Sequence, residues 1–375
     1  MKGRKLLMIP GPIEFEPAVM QAVGIPTTSH VAPDFIASFG HALEMMREVW
    51  LAPTGQPFII AGTGTLAMDM AGSNLIEPGD SALVISTGYF GDRYADLLRR
   101  YGANVTLLKA ATGDTVKVSE VEAELKKKRY KLMTFTHVDT STAVMVDPEP
   151  LGLLGQKYGA LTVLDGVCSV AGEEIRQDDW KIDVVLTASQ KAVGVPPGLA
   201  LLVVSEKALA VWRDRKTPVG NYYCDWSHWL PVMKAYEERR PSYFGTPAVN
   251  LVAGLEVSLG IILKEGMDSR FARHQRLARS FRAAIMDMGL KMIPLSEEIS
   301  ASTLSAPYYP EGVQGAAFMK AIAVSDVILA GGLLPEIKEK YFRVGHMGSV
   351  TNGDILATVS AIDNALKSTG YRSEK

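Results

Sequence analysis

Leu161-Thr162-Val163-Leu164-Asp165 is one of seven short apolar runs that alternate with helical patterns between residues 56 and 204. A run this uniformly apolar is typical of a strand covered on both faces, as in a mostly parallel sheet with helices packed on either side. The sequence therefore predicts an α/β fold built on a seven-stranded sheet. The other runs are Phe58–Ala61, Ala82–Ser86, Val105–Leu108, Leu132–Thr136, Val184–Thr187 and Leu199–Val204.

The remainder of the chain divides around this sheet. Residues 221–244 hold seven aromatic side chains, and a loop so aromatic is expected to pack on a partner subunit or to wall a pocket. A long apolar helix and a mixture of short strands and helices follow it. We therefore expect an N-terminal segment over residues 1–15, a large domain over residues 16–250 and a smaller α+β domain over residues 251–375.

Local patterns predict where several helices begin. Ser119-x-x-Glu122 has the spacing of a capping box, and Thr351-x-x-Asp354 is a similar opening for the last helix. Ser205 is placed to cap the helix after the seventh strand. Thr246 followed by Pro247 predicts the start of the long apolar helix.

The charge balance argues against a nucleic acid or membrane partner. There are 39 basic and 41 acidic residues, so no overall field would attract an anionic polymer or surface. The apolar stretch Leu6–Ile9 is too short for a signal peptide, and no run has the length of a membrane span. Only two cysteines, Cys168 and Cys224, occur, as expected in a reducing compartment. We expect a cytoplasmic protein whose partners are small molecules.

Several common kinds of active site are disfavoured by what the sequence lacks. The six histidines show no metal-ligand spacing, so no metal site is expected. The sequence has no Gly-x-Ser-x-Gly motif, which carries the nucleophile of many hydrolases, and no Gly-Lys-Ser/Thr motif, which is typical of the P-loop that binds nucleoside triphosphates. The chemistry must therefore be carried by other residues.

A glycine-rich segment, Gly62-Thr63-Gly64-Thr65-Leu66-Ala67, joins the first apolar run to a helix. Backbone amides and the helix dipole bind phosphate at such a position. A dinucleotide site would also need an acidic residue at the end of the next strand, which here ends Ile85-Ser86-Thr87-Gly88. The segment favours phosphate binding, with a dinucleotide site and a plain glycine turn as the alternatives.

A carboxylate and a lysine follow two neighbouring strands. Asp165 ends one apolar run, and Lys191 comes just after the next, in Ser189-Gln190-Lys191. Carboxyl ends of strands in an open α/β sheet converge on the ligand crevice. A carboxylate there can keep a ring nitrogen protonated, and a lysine can form a Schiff base. With a phosphate loop, these groups are what pyridoxal phosphate requires, although Asp165 alone could be a strand-end cap and Lys191 a solvated loop residue.

The chain resembles the fold-type I pyridoxal-phosphate enzymes of the class V aminotransferase family, in particular its alanine–glyoxylate and serine–pyruvate aminotransferases. The resemblance runs from Pro10-Gly11-Pro12 through Gly331-Gly332 to Arg343-Val344-Gly345, and the Ser-Gln-Lys-Ala…Pro-Pro-Gly block at residues 189–198 is specific. It implies a transaminase that moves an amino group from alanine or serine to glyoxylate or pyruvate by a ping-pong Schiff-base mechanism.

The resemblance also implies that five side chains surround the cofactor ring. Phe90 stacks on one face and Val167 packs under the other. Asp165 pairs with the ring nitrogen, Ser141 hydrogen-bonds the phenolic oxygen, and Lys191 forms the Schiff base. The residues that it implies at the phosphate are Thr63, Gly64, Thr65 and Gln190, with Tyr243 and Thr246 supplied by the neighbouring subunit of a homodimer.

Two further residues are implied on the substrate side. Arg343 matches the arginine that binds the carboxylate shared by amino and 2-oxo acids, and Gly11 leaves little room, which suits small substrates. Asp139 stands where relatives have Glu, and Val31 where many have Arg. The sequence leaves the consequences of these two departures open.

Three other functions are weighed against transamination. Cysteine desulfuration needs a mobile cysteine well downstream of the lysine, and only Cys224 follows Lys191. A NAD-dependent dehydrogenase would leave Lys191 unexplained. A non-catalytic binding protein on this fold would be expected to lose Lys191 or Asp165, and both are present.

Overall fold

The computed structural model describes residues 5–372, which form a central sheet, the helices around it and a smaller C-terminal layer. Its strands are β1 (Leu6–Leu7), β2 (Gln56–Ala61), β3 (Ser81–Ser86), β4 (Asn104–Lys109), β5 (Leu132–Thr136), β6 (Val138–Asp139), β7 (Val144–Met145), β8 (Leu161–Asp165), β9 (Val184–Ala188), β10 (Leu199–Val204), β11 (Leu304–Ser305), β12 (Val327–Ile328), β13 (Ala330–Gly331) and β14 (Phe342–Gly345).

The helices lie between these strands and after them, and none in the described part of the chain is long and apolar enough to cross a membrane. They are α1 (Pro17–Val23), α2 (Pro33–Val49), α3 (Gly64–Leu75), α4 (Tyr89–Arg100), α5 (Val118–Leu125), α6 (Pro148–Tyr158), α7 (Glu206–Arg213), α8 (Trp226–Glu237), α9 (Val249–Glu265), α10 (Met267–Asp287), α11 (Gly315–Val324) and α12 (Asn352–Ser368), with one 3₁₀ turn at Lys338–Lys340.

The main sheet has seven strands in the order β2-β10-β9-β8-β5-β3-β4. Only β10 runs antiparallel to its neighbours, β2 and β9, and the other pairs are parallel. Every residue of β5, β8, β9 and β10 is buried, because helices cover both faces of the sheet. The predicted mostly parallel, seven-stranded fold-type I architecture is confirmed.

This topology determines where a ligand can bind. Because β10 is antiparallel to both of its neighbours, β2 points the same way as β9. The carboxyl ends of β2, β3, β5, β8 and β9 therefore lie along one edge of the sheet, and the segments that follow these strands meet there.

Two hydrophobic cores divide the chain. The larger core lies around the main sheet and includes Val252, Leu255 and Leu259 on α9. The smaller core joins α10, α11 and α12 to the three-stranded sheet β11-β14-β13, and it also contains Met8 from the N-terminal segment. The domain boundaries at residues 15 and 250 stay predictions, since packing shows only which side chains share a core.

The predicted helix starts have mixed outcomes. Ser205 caps α7 by accepting from the Ala208 amide at 3.1 Å, and Thr351 and Asp354 form a reciprocal box at the start of α12. Ser119 lies inside α5, which begins one residue earlier. The start predicted at Thr246 is also wrong, because Ala248 is the N-cap of α9.

Candidate active site

A cavity of about 210 Å³ opens at the carboxyl edge of the main sheet. Eight of the residues predicted for the cofactor site line it, namely Thr63, Gly64, Thr65, Phe90, Asp165, Val167, Gln190 and Lys191. The remaining lining residues are Met68, Arg93, Thr136, Val138, Thr140 and Cys168.

The start of α3 forms one end of the cavity. Thr63 is the N-cap residue, but its side chain makes no capping hydrogen bond, so the first N–H groups of the helix meet the cavity without a side-chain cap. Gly64 packs tightly, since a Cβ atom there would lie 2.8 Å from Cγ2 of Val167. Nearby, Oε1 of Gln190 is buried and has no partner among the described residues. Uncapped amides of this kind suit an anion.

Asp165 is buried at the end of β8. Its Oδ1 accepts a hydrogen bond from the Val167 amide at 3.0 Å. Burial raises the pKa of this carboxyl group to about 6; the Val167 amide opposes the shift and the charge of Asp139 adds to it. A cationic partner in the cavity would restore the charged form of Asp165.

Lys191 follows β9 and projects toward the N-terminal segment. Its Nζ donates a hydrogen bond to the Pro10 carbonyl oxygen. Burial lowers the pKa of Lys191, and the positive charge of Arg343 lowers it further, although Cys168 and Asp165 oppose the shift. Gly11 has φ of +112°, and a Cβ atom there would lie 2.6 Å from Cδ of Lys191. Glycine is therefore required for both its backbone conformation and its close approach to the lysine.

Phe90 lies at the start of α4, which forms another wall of the cavity. The first N–H groups of this helix are occupied by protein side chains. The Tyr89 amide donates to Oγ of Ser141 at 3.0 Å, and the Phe90 amide donates to Oδ2 of Asp139 at 3.0 Å. Unlike α3, helix α4 has no free anion site in its first turn.

The predicted contact of Ser141 with the phenolic oxygen of a cofactor does not match its hydrogen bonding. Its hydroxyl donates to Oδ1 of Asp139 at 2.6 Å and accepts from Tyr89, so both roles of the group are used within the protein. Ser141 is fully buried and does not line the cavity, whereas its neighbour Thr140 does. Thr140 is therefore the residue of this block that borders the cavity.

Arg343 lies on β14 in the C-terminal layer and does not line the cavity itself, but its side chain contacts Thr140, which does. Its Nη1 donates to the Thr140 carbonyl oxygen at 3.2 Å, and its Nε donates to the Gly331 carbonyl oxygen at 2.8 Å. Burial lowers the pKa of the guanidinium. These bonds orient the side chain beside Thr140, which lines the cavity together with Lys191.

Tyr243 and Thr246 do not line the cavity of their own chain. Tyr243 is 62% exposed, and its ring centroid lies 5.2 Å from that of His30. The aromatic segment predicted as a loop contains the helix α8, in which Trp229 and Tyr236 are buried. Tyr222, at 75% exposed, is the other aromatic residue of this segment that faces solvent to this extent.

Some lining residues were missed although the sequence contained a signal for them. Arg93 follows Phe90 by three residues on α4, a spacing that places two side chains on the same helix face. Thr136 ends β5, just as Asp165 ends β8. Cys168 follows Asp165 by three residues, in a turn whose conformation the sequence pattern does not define.

Desulfuration needs a cysteine downstream of Lys191, and the cysteine that lines the cavity, Cys168, precedes that lysine and has the pKa of its thiol raised by burial. Cys224, which follows Lys191 in the sequence, is fully buried and does not line the cavity. Burial raises the pKa of its thiol to about 12, the reverse of what a nucleophilic cysteine requires.

Comparison with known proteins identifies the family. The model of the aminotransferase class-V family matches residues 20–334. Alanine–glyoxylate aminotransferase 1 of Saccharomyces cerevisiae is 37% identical, over 92% of this chain and 93% of that protein. L-aspartate–glyoxylate aminotransferase of Paracoccus denitrificans is 31% identical, over 99% of this chain and 93% of that protein.

A solved structure agrees with these sequence matches. The crystal structure of alanine–glyoxylate aminotransferase from Nostoc sp. has a TM-score of 0.91 and 30% identity, covering 98% of this chain and 96% of that one. The matches therefore extend over both cores and over the cavity at the carboxyl edge of the main sheet. The chain belongs to the aminotransferase class-V family.

Proposed function

We propose that this protein is a pyridoxal-phosphate-dependent transaminase that transfers an amino group from a small amino acid to glyoxylate or pyruvate. The observation that carries the proposal is the meeting of an uncapped helix start, Asp165 and Lys191 at one cavity. The similar proteins named above use alanine or aspartate with glyoxylate, which supports a small donor and a small 2-oxo acid acceptor.

The residues at the cavity fit pyridoxal phosphate. The uncapped amides of α3, with Thr63, Thr65 and Gln190, suit its phosphate. Phe90 and Val167 both line the cavity, and their side chains would pack against the flat ring of the cofactor. Both side chains are apolar and uncharged, as suits contact with the faces of an aromatic ring.

Asp165 holds the proton on the ring nitrogen in this proposal. Burial raises the pKa of Asp165 to about 6, because it takes the ionised carboxylate out of water. A pyridinium in the cavity would supply a cation beside the carboxylate and stabilise the ionised form. When bound, the cofactor supplies an electron sink for the negative charge that develops at Cα of the substrate. Asp165 sustains that sink because a protonated ring nitrogen attracts the charge.

Lys191 is the covalent attachment point and the base that moves the Cα proton. The lowered pKa of its amine favours the neutral form that accepts a proton. The Pro10 carbonyl and the absence of a side chain at Gly11 place the amine against the N-terminal segment. Proximity of the amine to Cα then supplies a large part of the rate.

Arg343 binds the carboxylate that donor and acceptor share. Because its Nε and one Nη already donate to Gly331 and Thr140, the fork is held in one orientation before substrate arrives. A single site serves amino acid and 2-oxo acid in turn, which gives ping-pong kinetics. The close packing at Gly11 favours substrates with small side chains.

The active form in this proposal is a homodimer with shared sites. Tyr243 and Thr246 lie outside the cavity of their own chain, and Tyr243 is exposed enough to meet the phosphate of a second subunit. Mixing Lys191→Ala chains with Tyr243→Ala/Thr246→Ala chains would regenerate one complete site per mixed dimer. Activity of about a quarter of wild type is expected after subunit exchange. No recovery despite proven exchange would refute the shared site.

The function itself is tested by trapping and by turnover. Borohydride added to the protein with pyridoxal phosphate is expected to fix the label on Lys191, as read by peptide mass spectrometry. Alanine, serine and aspartate are then compared as donors to glyoxylate and to pyruvate. Lys191→Ala should be folded and inactive, whereas Lys207→Ala, on α7 away from the cavity, should be fully active. A label on another lysine would overturn the assignment.

A further inference from the structure

Asp139 is a fully buried carboxylate that lies behind the cavity wall rather than on it. Its Oδ2 accepts from the Phe90 amide at 3.0 Å and from the Gly91 amide at 3.3 Å. Both donors belong to the first turn of α4. Asp139, at the end of β6, therefore joins that strand to the start of the helix that carries Phe90.

The second oxygen of Asp139 organises Ser141. Oδ1 accepts from the Ser141 amide at 2.9 Å and from its hydroxyl at 2.6 Å. The same hydroxyl accepts from the Tyr89 amide at 3.0 Å. Asp139 and Ser141 together thus hold the N–H groups of three consecutive residues of α4, and a negative carboxylate is favoured at this end of a helix.

The backbone just before α4 packs closely against Asp139 and Ser141. A Cβ atom on Gly88 would lie 2.5 Å from Oγ of Ser141 and 2.6 Å from Oδ1 of Asp139. The backbone before α4 is therefore pressed directly against the two side chains. The backbone of Phe90, from which its ring projects, can move relative to β6 only if the hydrogen bonds of Asp139 break.

We propose that Asp139 is a positioning residue that fixes the ring of Phe90 at the distance at which it stacks on the cofactor. It acts through the backbone of α4 and touches no reacting group. The inference rests on the proposed cofactor. The opposite wall of the cavity, Val167, is positioned separately by the hydrogen bond from its amide to Asp165. The width of the gap between the two walls then depends on Asp139.

The test is a double-mutant cycle on cofactor affinity. Asp139→Asn keeps the size of the side chain but removes its charge and sets an NH2 group against one pair of donors. In either orientation of the amide the Phe90 and Gly91 N–H groups lose their charged acceptor, so α4 loosens. Phe90→Leu removes the stacking ring. In wild type, Phe90→Leu is expected to weaken pyridoxal phosphate binding about tenfold; in the Asp139→Asn background the loss should fall to about twofold, because the ring is already displaced.

Amide hydrogen exchange in the cofactor-free protein gives a second readout. The Phe90 and Gly91 amides should exchange at least about tenfold faster in Asp139→Asn than in wild type. Asp183→Asn is the control, since Asp183 is also buried and accepts from Thr162 and Ser205; it differs in its additional ion pair with Lys207 at 2.9 Å. It should lower the unfolding temperature while leaving both the cofactor affinity and the exchange at Phe90 unchanged.

Each outcome decides a different point. Non-additive losses with faster exchange at Phe90 support the positioning role. Additive losses in a chain that binds the cofactor overturn it and leave the proposed function standing, because Asp139 would then stabilise the fold alone. Unchanged exchange at Phe90 and Gly91 in Asp139→Asn also overturns it. A wild-type chain that does not bind pyridoxal phosphate overturns the proposed function and this inference with it.

Discussion

Helices α3 and α4 both begin at the cavity, yet the N–H groups of their first turns have different acceptors. At α3 the N-cap residue Thr63 makes no side-chain bond, and the amides meet the cavity. At α4 the corresponding amides donate to Asp139 and Ser141. The first turn of a helix can thus serve as an anion site or as a fixed wall, depending on whether the chain supplies its own carboxylate.

The same contrast separates the two buried carboxylates at this edge of the sheet. Asp139 accepts four hydrogen bonds from protein groups, from Phe90, Gly91 and Ser141. Asp165 accepts one, from the Val167 amide. The saturated carboxylate holds structure together, whereas the unsaturated one has capacity left for a ligand.

The difference between α3 and α4 should be lost if the N-cap of α3 is replaced by a carboxylate. Thr63→Asp places a charge at the N-cap, where it stabilises the helix but repels a phosphate. At about 4 Å and an effective dielectric of about 20, that repulsion is about 4 kcal/mol, so affinity for pyridoxal phosphate should fall by on the order of 10³. Titration of the cofactor-free protein measures the loss.

Thr63→Asn is the control that distinguishes the effect of the added charge from the effect of capping the helix. Asparagine caps a helix about as well as aspartate but adds no charge, so affinity should change by less than about tenfold. The unfolding temperature of the cofactor-free protein should not fall in either variant. Wild-type affinity in Thr63→Asp would mean that the phosphate does not bind at α3.

The close fit at α4 is broken by a single methyl group. In Gly88→Ala the new Cβ overlaps Ser141 and Asp139, so unfolding free energy should fall by about 3 kcal/mol. Gly260→Ala, on α9, meets no atom within 4 Å and should gain up to about 1 kcal/mol. Urea unfolding compares the two variants. Equal stability of both would show that the junction at α4 can relax.

The sequence predicted the sheet because its strands are buried on both faces, so that almost every residue of β8 and β10 is apolar. Asp165 and Lys191 were found because Asp165 ends β8 and Lys191 lies in the segment just after β9. Ser141 was assigned to the cavity in place of Thr140, since which of two adjacent hydroxyls faces a ligand depends on the contact with Asp139. Such a contact between distant segments has no local pattern.

Helix starts show the same limit. Ser205 caps α7 with its own neighbours, and this was predictable from the sequence nearby. Thr246 before Pro247 also has the pattern of a helix start, yet Ala248 is the N-cap of α9, two residues later. At α5 the N-cap is Lys117, whose amide donates to the Glu120 side chain, again two residues from the predicted pair. Spacing therefore located these helices but not their first residues.

The unsaturated carboxylate can be tested through its effect on stability. Folding raises the pKa of Asp165 from 3.8 to about 6, so burial favours the neutral form, and its stabilising contribution is lost as pH rises through 6. A shift of roughly two units corresponds to about 3 kcal/mol. Since the amide of Asn is itself a buried polar group, we expect cofactor-free Asp165→Asn to gain only about 1 to 2 kcal/mol above pH 6.

Most of the gain should be lost near pH 4, where the carboxyl group is neutral in the folded chain and only about half ionised in the unfolded chain. Buried His137 and His346, whose pKa values are lowered to about 3, occur in both chains and cancel in the difference. Thermal unfolding of Asp165→Asn and of wild type from pH 4 to pH 8 measures this difference in stability. The same variant should lose most transaminase activity, on the order of 10². A variant less stable than wild type at pH 8 would contradict the assignment.

The smallest effect is expected at Gln190, beside the open end of α3. Its Nε2 can donate to a phosphate, and its Oε1 has no partner among the described residues, so Gln190→Leu should leave cofactor-free stability unchanged while weakening pyridoxal phosphate binding about fivefold, roughly 1 kcal/mol, by removing that donor. Gln177 is the matched control, because its Oε1 is also unpartnered but its Nε2 donates to the Val203 carbonyl oxygen at 3.0 Å. Gln177→Leu should therefore reduce stability and leave affinity intact. The reverse pattern, with affinity lost at Gln177 and stability lost at Gln190, would place the phosphate away from α3.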